Sequence, residues 1–354
     1  MPTNGILVRN SVNNTLLIRA DFTERIGGGH FVRSFAIAEA WKSLGGGVVF
    51  CSRCESEIGR DLLAAAKIPL LNFDDAYPNE EILSRAGQLL GGGAPTIVLF
   101  DGYTFSIEER KAVCHSDART AVIDDPCIED FSDADLILNY NIYASTCSYR
   151  KSETAQMLLG TKYCPIRSEF MNTRPMASRA LEAEKRILLM MGASDAANVT
   201  SLLLSFLGSL NIPSLSLRVI VGPLNTHFDS VLAAAKQLEC PCEVIRPGFE
   251  IVSHMTWATH AITACGSSCY EFAYLGVPML GLVVADNQQK IAEGLSSQGC
   301  LRVLGSHREL TEQRTLETIR PMLQDASMYQ EMSQRGLSLI DGRGAKRIAE
   351  ALAA

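Results

Sequence analysis

The 354-residue sequence lacks the positive charge that a polyanion would need. Thirty-two Lys and Arg stand against 39 Asp and Glu, for a net charge of −7 and a pI near 5.5. No Lys/Arg-rich run segregates a basic patch, so phosphate backbones would be repelled and nucleic acid is not an expected partner. Long hydrophobic runs are missing as well. The longest, Val277 to Ala285, is broken by Pro278 and Gly281 and is far short of the ~20 residues of a membrane helix. The opening MPTNGILVRN has no basic segment ahead of an apolar core, so no export signal and no membrane partner are expected, and the cytoplasm is the expected compartment. Metal-ligand spacing is absent too. Cys51 and Cys54 form a C-x-x-C pair with no second pair, Cys240 and Cys242 stand too close together, and His115, His227, His254, His260 and His307 are not spaced as ligands. The eleven cysteines therefore read as buried or incidental thiols, in a chain long enough to fill a core without disulfides. No metal and no cofactor are expected.

What is present is ordinary globular material, 47% hydrophobic and 20% charged, which excludes disorder as the main state. The length favours two domains. Short β-rich runs alternate with amphipathic helix-length runs: strands are expected at 15–21, 48–53, 70–73, 96–101 and 120–125, with helices at 30–44, 57–67, 80–90 and 107–115. Runs such as TIVLF and LILN are apolar throughout, as in strands covered on both faces. A polar stretch with Pro175 interrupts the rhythm, which restarts at RILLMMG. This grammar predicts an α/β protein of two Rossmann-like domains with mostly parallel sheets facing a central cleft. The boundaries expected are 1–172, a linker over 173–185, and 186–354, the last helix packing back on the N-terminal domain.

Four segments at strand ends could carry chemistry. Gly27, Gly28 and Gly29 precede His30. Glycines permit close backbone approach to a ligand, and the helix starting there points N–H groups into the crevice beyond the sheet. The run is neither a Walker loop nor Gly-x-Gly-x-x-Gly. His30 is either a helix-capping residue or a catalytic base. In the second half, Gly266-Ser267-Ser268 is followed by Glu271. Hydroxyls at a helix start suit a phosphate and a carboxylate one turn in suits ribose hydroxyls, whereas the alternative is an ordinary capping box. Met191-Gly192-Ala193-Ser194-Asp195 and Asp286-Asn287-Gln288 stand at further strand ends. The acid pairs Asp74–Asp75 and Asp124–Asp125 are either loop solvation or, for the second, a means of positioning a catalytic group.

Taken in order, these segments resemble the nucleotide-sugar hydrolases of pseudaminic acid biosynthesis, whose substrate is UDP-2,4-diacetamido-2,4,6-trideoxy-β-L-altropyranose. The resemblance runs through Arg19-Ala20-Asp21, Ile26-Gly-Gly-Gly-His30-x-x-Arg33, Asp101-Gly-Tyr103, Ile123-Asp124-Asp125 and Asn139-Tyr-Asn141. It continues at Ile166-Arg167-Ser-Glu169-Phe170, Met191-Gly192-Ala-Ser194-Asp195, Gly266-Ser267-Ser268-x-x-Glu271, Asn287-Gln288 and Gly342-Arg-Gly344. It implies a glycosyltransferase-B fold and metal-independent, inverting hydrolysis that releases UDP and the free sugar. His30 is the implied catalytic residue, assisted by Asp21 or Tyr103. Ser267 and Ser268 are implied at the diphosphate, Glu271 at the ribose, and Asn287 with Gln288 at the diphosphate or sugar. Gly28, Gly29, Arg33, Asn141, Arg167, Gly192, Ser194, Asp195 and Gly266 complete the implied substrate contacts. The expected partner is a UDP-sugar, and the protein is expected to be a monomer or weak dimer. A transferase of the same fold and a non-catalytic nucleotide-sugar binder are the alternatives. The sequence departs from the family at Ser34, where a cysteine is usual, at Ser132–Asp135, at Ala193, and in lacking a Trp-Glu after Tyr103.

Overall fold

A computed structural model describes residues 14–23, 26–72, 79–89, 95–103, 105–113, 117–127, 130–171, 173, 184–246 and 251–354. Asp74, Asp75 and nearly all of the expected linker lie outside these residues. The N-terminal half alternates β1 (Thr15–Ala20), α1 (Gly29–Ser43), β2 (Gly47–Ser52), α2 (Glu57–Ala65), β3 (Leu70–Asn72), α3 (Asn79–Leu89), β4 (Ile97–Asp101), α4 (Ile107–Val113) and β5 (Arg119–Ile123). It closes with β6 (Asp130–Phe131), β7 (Leu136–Asn139), β8 (Arg150–Lys151) and β9 (Gln156–Leu159). The C-terminal half opens with β10 (Lys185–Met190), α5 (Val199–Leu207), β11 (Leu215–Ile220), α6 (Phe228–Ala235), β12 (Cys242–Ile245), α7 (Ile251–Trp257) and β13 (His260–Ala264). It goes on through α8 (Ser268–Leu275), β14 (Met279–Val283), α9 (Gln289–Ser297), β15 (Leu301–Ser306), α10 (Glu312–Gln324), α11 (Ala326–Leu339) and α12 (Gly344–Ala353). The last residue of the expected linker, Lys185, is thus already strand.

Seven strands form one parallel sheet in the order β3-β2-β1-β4-β5-β7-β9, and six form another in the order β12-β11-β10-β13-β14-β15. β4, β13 and β14 are buried at every position, which is why their sequences are largely apolar rather than alternating. In each sheet the order reverses between the half's first and fourth strands, β1 beside β4 and β10 beside β13. Chain direction diverges there and leaves a crevice at the carboxyl ends. β1 feeds the glycine loop into that crevice and β4 ends in it at Asp101. β10 delivers Gly192, and β13 delivers Gly266.

One core cluster runs through both halves, joining Phe31, Trp41 and Phe170 to Tyr270, Phe272 and Tyr274. The C-terminal helix α12 packs on α1 of the other half. Arg347 Nη1 donates to the Lys162 carbonyl at 2.8 Å and Arg119 Nη1 to the Leu352 carbonyl at 3.1 Å. Only glycine fits at 344, where a Cβ would sit 2.0 Å from the Cys164 carbonyl oxygen. No described helix is long and apolar enough to cross a membrane.

The expectation that the cysteines are thiols needs one correction. Cys127 and Cys147 form a disulfide, with Cα atoms 5.3 Å apart across a sequence separation of 20. Parallel pairing of β5 with β7 brings the turns that follow these strands to the same edge. Cys51 and Cys54 remain buried free thiols, and burial pushes the Cys51 thiol up to about 12, so this pair is unreactive.

Candidate active site

The glycine loop enters α1 at Gly28, which offers no side-chain cap, and no acid occupies the first turn. The helix N–H groups are therefore open to the crevice. A Cβ at Gly28 would lie 2.6 Å from the Phe22 ring, so glycine is what lets the loop fold against this wall. His30 is only 7% exposed and its Nδ1 lies 2.7 Å from Asp101 Oδ1. Asp101, fully buried, also accepts from Arg33 Nε at 2.7 Å, from Arg33 Nη2, and from Ser34 Oγ at 2.8 Å. Burial alone would raise the Asp101 pKa, but the Arg33 charge and these hydrogen bonds outweigh it and hold the group down at about 2.

That ionised carboxylate decides the histidine tautomer. Nδ1 is within 2.8 Å of Arg33 Nη2 as well, but one ring nitrogen cannot accept from Arg33 while donating to Asp101. Asp101 has no proton to give, so Nδ1–H donates to it, and in the neutral ring Nε2 is the nitrogen with the lone pair. Tyr103 stands edge-on to the imidazole, ring centroids 4.6 Å apart.

Asp125 is the centre of the neighbouring cluster. It accepts from Arg33 Nη1 on both oxygens at 2.8 Å, from Tyr103 OH at 3.1 Å and from Asn141 Nδ2 at 2.8 Å. Its carbonyl accepts from Tyr143 OH at 2.7 Å, and Arg33 Nη1 also donates to Tyr140 OH at 2.9 Å. Burial, then the Asp125 charge, push the Tyr103 and Tyr143 phenols well up, so both remain hydrogen-bond donors. A cavity of about 120 Å³ lies between these residues and Gly266, Ser267, Asn287 and Gln288 of the other half.

It adjoins a larger interdomain cavity of about 760 Å³, walled by the glycine loop, Arg167, residues 192–195, residues 266–268, Glu271, Asn287, Gln288, His307 and Arg308. Ser267 caps α8 without a side-chain cap hydrogen bond, so the capping-box alternative is not realised. Glu271 instead faces Arg167, which approaches its Oε1 at 3.3 Å through Nη2. Gln288 Oε1 accepts from Val284 N at 3.0 Å, and Asn287 lines the small cavity with Tyr103 of the other half.

Not every expected residue joins this arrangement. Asp21 accepts from Arg53 N at 2.8 Å and lies 3.4 Å from Arg19 Nη1. It lies on the loop after β1 and lines neither cavity, apart from the His30 cluster. Asp195 borders the larger cavity, but its two oxygens accept from Val199 N at 2.8 Å and Thr200 N at 3.0 Å, starting α5. Asp124 accepts from Tyr149 OH at 2.7 Å and Cys127 N at 3.0 Å, bracing the turn beneath Asp125. Asp101, Tyr140, Tyr143, His307 and Arg308 were not expected as functional residues. For Asp101 the signal was an acid closing an otherwise apolar strand at the switch point; the others carry none.

Among the described residues no group of three or more His, Cys, Asp or Glu is placed to hold a metal ion.

The chain has the glycosyltransferase-B fold, two α/β domains with parallel sheets opposed across a cleft. It aligns over 96% of its length with MurG of Acinetobacter baumannii (99% of that chain, TM-score 0.65, 15% identity). It aligns equally with UDP-GlcNAc 2-epimerase of Neisseria meningitidis bound to UDP-GlcNAc (96% and 99% of the two chains, TM-score 0.63, 15% identity). In sequence it is 21% identical over 242 residues to the spore coat polysaccharide biosynthesis protein SpsG of Bacillus subtilis, covering 68% of this chain and 70% of that protein. No protein-family model matches.

Proposed function

We propose that this protein hydrolyses a UDP-linked amino sugar, releasing UDP and the free sugar for polysaccharide or nonulosonic acid synthesis. The observation that carries the reading is His30, held by buried Asp101 at 2.7 Å at the wall of the small cavity that also meets the Gly266-Ser267 turn. A base and an anion-stabilising helix start thus border one space. Further support comes from the sequence similarity to the SpsG protein of spore coat polysaccharide biosynthesis, and from the fold shared with a structure bound to UDP-GlcNAc.

On this reading UDP occupies the larger cavity, with its diphosphate at Ser267 and Ser268 and its ribose at Glu271. The sugar enters the small cavity, among Tyr103, Asp125, Asn141 and Tyr143. Water attacks the anomeric carbon from the face opposite the diphosphate as His30 Nε2 takes its proton. The anomeric C–O bond breaks, its electron pair leaves with the diphosphate oxygen, and the sugar emerges inverted. Asp101 stabilises the imidazolium formed and holds the ring in place. The resemblance of the motifs makes a 2,4-diacetamido-2,4,6-trideoxyhexose the expected sugar.

The test is incubation with UDP-2,4-diacetamido-2,4,6-trideoxy-β-L-altropyranose without an acceptor, following UDP release and the first anomer by NMR. UDP release with inversion supports hydrolysis. Release only on adding an acceptor would make the protein a transferase, C2 inversion with UDP retained an epimerase, and binding without turnover a nucleotide-sugar binder.

A further inference from the structure

Tyr270 is fully buried on α8, one residue before Glu271, yet its hydroxyl reaches into the other half. It donates to Asn141 Oδ1 at 3.2 Å and accepts from Ile142 N at 3.2 Å. Asn141 is thereby fixed in one amide orientation. Its oxygen accepts from the phenol, while its Nδ2 donates to Asp125 at 2.8 Å and to Asn139 Oδ1 at 3.1 Å. Asp125 holds Arg33 at 2.8 Å, Arg33 Nε holds Asp101 at 2.7 Å, and Asp101 holds His30 at 2.7 Å. A continuous hydrogen-bonded series therefore leads from the helix beside the larger cavity, through the floor of the smaller one, to the imidazole. The side chains of Asn141, Asp125 and Arg33 each serve two links, so displacing one displaces its neighbours.

We infer that Tyr270 is a positioning residue. It locks Asn141 and Asp125 in register with α8, so that the nucleotide-side helix sets the placement of His30 and of the sugar-facing groups. This rests on the proposed hydrolytic function for its kinetic consequence, though the mechanical link itself does not. The ring packs edge-on against Tyr140 at 5.7 Å, and Phe in its place would keep that packing while removing the hydroxyl. Asn141 Oδ1 would lose the phenol that donates to it from α8, and Ile142 N–H its acceptor.

The experiment compares wild type, Tyr270→Phe, Asn141→Ala and the double variant. Turnover of the UDP-sugar in Tyr270→Phe is expected to fall about ten- to a hundredfold, the scale of a small misplacement of reacting groups. UDP affinity by calorimetry should stay within twofold. In the Asn141→Ala background Tyr270→Phe should cost no further turnover, because both act through one link. Unchanged kcat in Tyr270→Phe, or a full additional loss in the double variant, overturns the inference. Histidine ring NMR without ligand supplies a readout independent of activity, with the His30 signals assigned by their loss in His30→Asn. Those signals should move in Tyr270→Phe. If they stay put the link is absent, whereas moving signals in a protein that releases no UDP would uphold the link and reject hydrolysis.

Discussion

His30 is informative because its partners remove its freedom. With Asp101 on Nδ1, only Nε2 can serve as base, and an Asn at this position cannot take a proton from water. His30→Asn is expected to lower kcat by about 10²–10⁴, the usual contribution of general-base help, with UDP affinity unchanged by calorimetry. Turnover at the wild-type rate would leave His30 as part of the helix start only. Asp101 carries a second expectation. Its pKa is lowered from 3.8 to about 2, so it binds its proton more weakly folded than unfolded. The stability this contributes is fully present above the unfolded value and is lost as pH falls through the folded one, an effect on the order of 2 kcal/mol. Urea unfolding followed from pH 5 to pH 2 should therefore show a drop that is missing from Asp101→Asn, which starts lower at neutral pH because Arg33 loses a buried partner. The sequence made His30 visible through its glycines. It did not reveal that Asp101 would meet it, since a contact across 71 positions depends on β1 lying beside β4. Asp21, expected beside His30, contacts Arg19 and the Arg53 N–H in the structure.

At the scale of elements, α8 combines an open N-terminus with Glu271 one turn in. Glu271 uses Oε1 toward Arg167, and its Oε2 makes no hydrogen bond among the described residues. A ribose hydroxyl can therefore bond to Oε2 without breaking the existing pair. Glu271→Ala is expected to weaken UDP by about 1.5–3 kcal/mol, the range for a hydrogen bond to a charged group. A 2′-deoxy nucleotide should lose little further in the variant. Equal affinity of wild type and variant would remove Glu271 from the nucleotide site. The strands and helices were legible because continuous apolar runs and amphipathic periods are local properties. The Cys127–Cys147 bridge and the Tyr270 link were not, because each depends on which strands become neighbours. Asp195 shows the converse limit: an acid after a strand reads alike whether it meets a ligand or caps the next helix.

For the whole molecule, the cleft brings two helix starts, α1 and α8, toward one space, with Arg167 and Arg308 on its walls. These groups can stabilise a departing diphosphate without a cation. Turnover is expected to survive excess EDTA in a continuous assay of UDP release. Loss on chelation with recovery on adding magnesium would instead assign a ligand role to acids such as Asp195 or Asp124. The two halves also meet at α12, whose glycine start fits only against the Cys164 carbonyl and whose body rests on α1. On the ribosome, residues 14–171 emerge before this helix and lack it until residues 344–353 follow. The earlier half is therefore completed by a helix that follows the whole of the later half, and His30 at the start of α1 acquires that support only after residues 344–353 are made.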